Sequence, residues 1–333
     1  MSWLYRIGIN HRNRAFDAGK EVTRFDRAVI SIGNLSTGGT GKTPMVQLVV
    51  SMLQQLGQQP VIAMRGYGAR PGEKGDEQLE HEEALPGVQI VAQPDRIGGL
   101  RLLFDTDLGK GIDCVVLDDG FQHRKIARDL DIVLIDASRP PDRDALLPKG
   151  HLRESIQSLS RAGLVVLTHC ERVSNDEIER QYSLIVEQNT QVPVLTAHHK
   201  WVSFIQYTRT QSGWSEQPIP CEDLLGVELQ VVCGIGNSDA YCAMIREHGL
   251  LTKNITNLRD HAELGESEIR RLTIAEKNDE ISPVFMTRKD WVKTSKNSNW
   301  PIGTRVILPQ LSMDLGDQKN VLLQLIKGMF NRD

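Results

Sequence analysis

One octapeptide limits the fold more than any other part of the chain: Ser36, Thr37, Gly38, Gly39, Thr40, Gly41, Lys42 and Thr43. It follows a β-branched run, Val29–Gly33, and opens a segment, Lys42–Leu56. In that segment Met45, Leu48, Val49, Met52, Leu53 and Leu56 recur at helical spacing. Pro44 falls in the first turn, where proline is tolerated. A strand that turns through glycines into a helix lets several backbone N–H groups converge on phosphate oxygens, helped by the positive helix end. Lys42 would neutralise the β- and γ-phosphates, and the Thr43 hydroxyl would ligate Mg²⁺. All eight residues are therefore candidate contacts to ATP. Ser36 stands where the usual pattern starts with glycine, a place serine can take if its backbone stays at negative φ. Thr37 stands where P-loop partitioning and metal-insertion ATPases carry a lysine, which argues against that class.

Further apolar runs, Val61–Met64, Cys114–Leu117, Ile132–Ile135, Leu164–Leu167 and Val192–Leu195, alternate with helical segments. Such alternation implies crossover units and an α/β fold: a mostly parallel sheet of P-loop type with helices on both faces. The texture changes near Lys200. Residues 201–224 are mixed and polar, with Gly213, Pro218 and Pro220, and read as linking strands or loops. A smaller C-terminal α/β domain is expected over 225–333. Its signals are Gln230–Cys233, a turn at Gly234–Asn237, strands at Val284–Met286 and Arg305–Leu308, and a closing helix at Asn320–Phe330. The first domain then spans 1–200.

Composition removes several function classes. Aromatic content of 5% and a net charge of −4 supply neither stacking platforms nor a basic field, so nucleic acid is not an expected partner. The five cysteines form no C-x-x-C pair, and several lie in apolar runs, as reduced buried thiols do. No stretch reaches the ~18 apolar residues of a membrane span, and the N-terminus lacks the apolar core of a signal peptide. A cytoplasmic protein is expected. Residues 1–27 set Trp3, Leu4, Tyr5, Ile7 and Ile9 among arginines. That mixture suits either a segment seated on an anionic bilayer surface or a helix packed on its own domain.

Asp118 and Asp119 end an apolar strand, Cys114–Leu117, which brings carboxylates to the sheet's C-terminal edge near the metal of a bound nucleotide. One acid would serve Mg²⁺ and the other the P-loop or a second metal; the sequence leaves the division open. His198 and His199 form a doublet, but neighbours on a strand face opposite ways, so the pair is not expected to share a metal.

Together these motifs carry a resemblance. The run Gly33-Asn-Leu-Ser-Thr-Gly-Gly-Thr-Gly-Lys-Thr-Pro44 resembles the opening motif of the tetraacyldisaccharide 4'-kinase (lipid A 4'-kinase) family. So do Arg65-Gly-Tyr-Gly68, Gly75-Asp-Glu77, Pro94-Asp-Arg96, Asp118-Asp-Gly-Phe-Gln-His123, Leu147-Pro148, Leu152-Arg-Glu154 and Gly234-Ile-Gly-Asn237, in family order. The resemblance implies transfer of the ATP γ-phosphoryl to the 4'-hydroxyl of an acylated glucosamine disaccharide 1-phosphate. It further implies a peripheral enzyme on the cytoplasmic face of the inner membrane, with a P-loop domain and a smaller domain facing each other across the active site. The base of the family is the aspartate of G-D-E, supported by the first histidine of D-H-H; carried over, these are Asp76 and His261. Arg65, Tyr67, Glu77, Gln122, His123 and Arg153 are the remaining candidates for substrate or phosphate contact. This chain departs from the pattern at Ala262, at Arg288 and in a shorter, more polar N-terminal segment. A P-loop switch or partition ATPase, or a kinase of another acylated sugar, are the competing readings.

Overall fold

Val, Ile and Leu dominate the interior strands, and the chain divides into two compact units, Met1–Lys200 with Met313–Asp333, and Trp201–Ser312. The structure, a computed structural model, describes residues 2–66, 74–234, 238–258, 264–274 and 281–330, with backbone alone at 2–7, 10, 11 and 238–240.

The first unit runs α1 (Ser2–Asp17), β1 (Ala28–Asn34), α2 (Lys42–Gln55), β2 (Pro60–Met64), α3 (Asp76–Ala84), β3 (Gln89–Ala92), α4 (Arg96–Phe104), β4 (Cys114–Asp118), β5 (Leu130–Asp136), β6 (Leu164–Thr168), α5 (Asn175–Gln188) and β7 (Val194–Thr196). Among the described residues seven strands form one sheet in the order β3-β2-β4-β1-β5-β6-β7. The pairs are parallel. A strand buried on both faces sends alternate residues into separate cores. Ile30, Ile32, Val116, Ile132 and Val166 pack with Met45, Val49 and Leu53 of α2. On the opposite face Val29, Val61 and Val115 meet Leu100 of α4, and Val133 and Val165 meet Ile185 of α5. Burying each such side chain is worth about 1.5–3 kcal/mol, so the sheet centre is the stiff platform for whatever sits at its edge.

The second unit holds a sheet ordered β11-β10-β12-β13-β8-β9. Its elements are β8 (His198–Thr210), β9 (Gly213–Ile219), β10 (Glu228–Cys233), α6 (Ser238–Glu247), β11 (Leu251–Asn257), α7 (Glu266–Leu272), β12 (Val284–Met286), α8 (Arg288–Thr294) and β13 (Arg305–Asp314). Residues 201–224, expected as linking strands or loops, form the antiparallel hairpin β8–β9. Pro218 is accommodated there because β9 is an edge strand. The chain leaves the first unit through β8 and returns to it through β13.

The last helix, α9 (Lys319–Phe330), belongs with the first unit. Leu322 and Ile326 are fully buried beside Met45 and Val46 of α2. The expected second domain of 225–333 therefore differs from the observed unit at both ends. A hairpin joins it at the start, and the closing helix is claimed by the P-loop core.

Candidate functional site

Parallel pairing sets the site. Ile32 of β1 is in register with Asp118 of β4, so the strand that feeds the glycine loop ends beside the strand that ends in two acids. The turn after β4 is pressed against β1. A Cβ at Gly33 would stand 2.6 Å from the Phe121 backbone nitrogen, and one at Gly120 would stand 2.6 Å from the Ser31 hydroxyl. Glycine is required at both positions for this approach. The Gly120 amide donates to the Ile32 carbonyl at 2.9 Å.

Within the loop, Gly38 and Gly41 take positive φ of 113° and 83°, the left-handed region that glycine enters without strain. Ser36 is not among the non-glycine residues with positive φ, which meets the condition for serine there. The loop is braced from behind. Asn34 Nδ2 donates to Thr40 Oγ1 at 2.7 Å, and Thr168 Oγ1 donates to the Thr40 carbonyl at 3.0 Å. The segment through Leu152 straps it from the side, with a bridge to Ser36 and the Thr37 amide donating to the His151 carbonyl at 2.8 Å. Lys42 and Thr43 then open α2, whose N-terminal N–H groups lack intrahelical partners.

The two acids occupy different surroundings. Asp118, 4% exposed, receives a 3.0 Å hydrogen bond from Nε2 of His81, which is completely buried on α3. Asp119 has φ 51°, a left-handed conformation that aspartate tolerates better than most residues. It faces Lys42 Nζ at 3.8 Å and Arg153 NH1 at 2.7 Å. Burial opposes its charge, yet Lys42 and Arg153 hold its carboxyl below the usual range. Its Oδ1 is buried with no hydrogen-bond partner among the described residues.

Helix α3 carries Asp76 and Glu77 in its first turn, where the helix dipole favours acids. Glu77 and His81 are four residues apart and share a face. Desolvation, then the nearby Asp118, pushes the Glu77 carboxyl above its ordinary value, with Lys42 opposing. Asp76 opens the same helix at the same end. Arg96, 3% exposed at the start of α4, reaches the Asp119 carbonyl at 3.4 Å. Burial lowers its pKa while Asp119 and Asp118 oppose that shift. Arg65, at the end of β2, adds positive charge near Arg96.

Gln122 Nε2 donates to the Asn34 carbonyl at 2.9 Å, tying the acidic turn to the entry of the loop. Burial, then Arg96 and Arg128, lowers the His123 ring to about 4, so this imidazole is neutral. Glu154 is fully buried and accepts from Asn13, Ser158 and Arg161, each at 3.0 Å. Through Asn13, and through Asp17 with Arg124 at 2.6 Å, the second half of α1 is fastened to the first unit. Tyr67 and His261 lie outside the described residues.

The loop, Lys42, Asp118, Asp119, Glu77 and Arg153 are thus gathered at one sheet edge. His81 and Arg96 join them, although His81 lies in no motif and Arg96, part of the Pro94-Asp-Arg96 motif, is not among the candidate site residues. Arg96 closes a Pro-Asp-Arg triad whose aspartate caps α4, accepting from the Gly98 amide, so it reads as a helix start. His81 is one histidine in an otherwise acidic helix. Its fourfold spacing from Glu77 was the available signal.

Comparison with known proteins points to one family. A family model described as tetraacyldisaccharide-1-P 4'-kinase (LpxK) matches residues 1–329. A tetraacyldisaccharide 4'-kinase from Chlorobaculum parvum is 32% identical over 311 residues, covering 88% of this chain and 82% of that one. One from Geobacter metallireducens is 33% identical, covering 88% and 86%. Among solved structures, LpxK from Aquifex aeolicus in complex with ATP is similar with a TM-score of 0.74 and 27% identity. That match covers 99% of this chain and 97% of that one.

Proposed function

The chain belongs to the tetraacyldisaccharide 4'-kinase family, and on that premise we propose how its residues carry the γ-phosphoryl group of ATP to the 4'-hydroxyl of a tetraacyldisaccharide 1-phosphate. It is an ATP-dependent kinase of lipid A biosynthesis. The observation that carries the residue-level reading is the meeting of Lys42 and Arg153 on Asp119, at the end of the strand in register with the one feeding the glycine loop.

Phosphoryl transfer depends on alignment and on neutralising charge as the bond to the leaving phosphate breaks. The loop amides from Gly38 to Gly41 and the start of α2 hold phosphate oxygens. Lys42 and Arg153 supply positive charge, the latter with a planar guanidinium suited to two oxygens at once. The donor set also fits Mg²⁺. Asp118, Asp119 and the Thr43 hydroxyl offer hard oxygens, Asp119 Oδ1 is buried with no hydrogen-bond partner among the described residues, and Glu77 is pushed up by desolvation and then by the neighbouring Asp118. A divalent ion held there would offset the negative charge of the phosphates.

The sugar hydroxyl must lose its proton as it attacks. Asp76 is the base in this reading, since it opens α3 beside Glu77 at the acidic edge and matches the family's G-D-E aspartate. A positioned base contributes about 10²–10⁴-fold. His261 supports it by family resemblance. The acyl chains keep the acceptor in the bilayer, at about 0.8 kcal/mol per buried methylene. The enzyme therefore works as a peripheral protein, on the cytoplasmic face of the inner membrane where ATP is supplied. Among the described residues no helix is long and apolar enough to cross a membrane.

The test is incubation of purified protein with ATP, Mg²⁺ and detergent-dispersed tetraacyldisaccharide 1-phosphate, read by mass spectrometry. The lipid is expected to gain one phosphoryl group, giving lipid IVA. An unchanged lipid mass with folded protein would overturn the assignment.

A further inference from the structure

Behind the glycine loop lies a group of side chains that phosphoryl transfer does not use. His169 follows β6 with φ 56°, a left-handed conformation unusual for a non-glycine residue. Its Nε2 stands 3.1 Å from the Gly39 carbonyl oxygen and its Nδ1 3.4 Å from Glu171 Oε1. A carbonyl oxygen only accepts, so Nε2 carries the hydrogen. A neutral ring then aims its Nδ1 lone pair at a carboxylate oxygen, which also only accepts. Something positive belongs between them, either a second proton or a metal ion.

His199 decides between these. It is 5% exposed and stacks on His169, with ring centroids 4.0 Å apart and planes 18° apart. Among the described residues neither of its ring nitrogens has a hydrogen-bond partner. A single proton shared by His169 and Glu171 leaves both of those nitrogens unsatisfied, a state that buried polar atoms rarely keep. A metal ion engages one of them. The donor atoms of His169, Glu171 and His199 all lie within 4.8 Å of one another. The Nε2–H bond to Gly39 is the outer contact that fixes the tautomer and orientation of a ligating histidine. The His199 backbone amide, donating to Glu171 Oε2 at 3.1 Å, fixes the carboxylate in the same way.

We propose that His169 Nδ1, the Glu171 carboxylate and a ring nitrogen of His199 bind one divalent transition-metal ion of the Zn²⁺ class, separate from the Mg²⁺ position at Asp118 and Asp119. Two imidazoles and one carboxylate suit zinc, whereas Mg²⁺ takes oxygen ligands. The stacked rings lie face to face, so occupancy requires the His199 ring to turn until a nitrogen points toward His169 Nδ1. That rotation breaks no hydrogen bond among the described residues, because neither nitrogen makes one there. The site touches the nucleotide cradle at two points. His169 holds the Gly39 carbonyl, and His199 Nε2 is 2.8 Å from where a Gly41 Cβ would be.

The experiment uses full-length protein stripped with chelator and titrated with Zn²⁺ alone by calorimetry, then with Co²⁺ by absorption spectroscopy. One equivalent is expected, with tetrahedral Co²⁺ bands and no thiolate charge-transfer band. His199→Ala and the near-isosteric Glu171→Gln are each expected to weaken binding about tenfold or more, while His198→Ala leaves it unchanged. Circular dichroism checks the fold, and Glu171→Gln keeps the test decisive if His199→Ala is unstable. Binding that survives in both variants, a thiolate band from Cys170, or no uptake with a doubly protonated His169 seen by NMR would each overturn the site.

Discussion

Removing the His81 imidazole tests the least expected contact of the phosphate edge. Its Nε2 donates to Asp118 at 3.0 Å in a fully buried setting, while its Nδ1 has no hydrogen-bond partner among the described residues. A hydrogen bond to a charged acceptor is worth about 1.5–3 kcal/mol, and relieving an unsatisfied buried nitrogen returns about 1 kcal/mol. His81→Leu is therefore expected to lower stability by about 0.5–2 kcal/mol. At about 2–4 °C per kcal/mol for a unit of this size, that is a fall in Tm of roughly 1–8 °C. His81→Gln keeps an N–H donor on the same side and is expected to recover most of the loss. Urea denaturation of metal-free protein gives the stability difference. Binding of Mn²⁺, followed by electron paramagnetic resonance in the presence of ATP, reports whether Asp118 is still held for the metal; affinity is expected to drop about 10–100-fold. If His81→Leu falls within about 0.5 kcal/mol of wild type, the hydrogen bond contributes nothing net. If stability drops and Mn²⁺ affinity does not, the contact braces the fold alone and does not position Asp118.

Lys42→Ala is expected to reduce kcat by about 10²–10³-fold, as for loss of one preorganised charge donor, and Asp76→Ala by about 10²–10⁴-fold. Full turnover in Asp76→Ala removes that residue from the role of base. Ile326→Ala is expected to cost about 2–5 kcal/mol because its side chain is fully buried against α2; a near-silent result in urea denaturation would detach α9 from the P-loop core. Glu154 is held below its ordinary value by Arg161, Asn13 and Ser158 although burial opposes its charge. A depressed carboxyl contributes stability that is present above the unfolded value of 4.5 and is lost as pH falls through the folded one. Acid titration of Glu154→Gln is thus expected to show a shallower decline below that point than wild type; parallel curves would contradict the shift.

The interior of both sheets was legible because apolar runs such as Val29–Gly33 and Leu164–Leu167 have no other stable use. The edges were not. β3 is only half-buried and β11, Leu-Thr-Lys-Asn-Ile-Thr-Asn, is mostly polar and exposed, so neither carries a clear period. The glycine loop and the Asp118–Asp119 turn announced themselves because tight approaches at Gly33, Gly41 and Gly120 require particular residues in an unbroken run. His81 and Arg96 gain their places from partners 37 and 23 positions away, and Glu154 takes one of its three from Asn13, 141 positions away. Local spacing does not encode such pairings. The same holds for α9, whose amphipathic pattern says that it packs but not on which core.

That last helix has a consequence for how the chain is made. Its buried face completes the layer beneath α2, yet it is synthesised only after the whole of Trp201–Ser312. At about 5–20 residues per second, a ribosome needs on the order of ten seconds to travel from β7 to α9. Throughout that interval the nascent nucleotide cradle exposes the apolar surface that Leu322 and Ile326 will cover, which gives a chaperone both a reason and a window to bind.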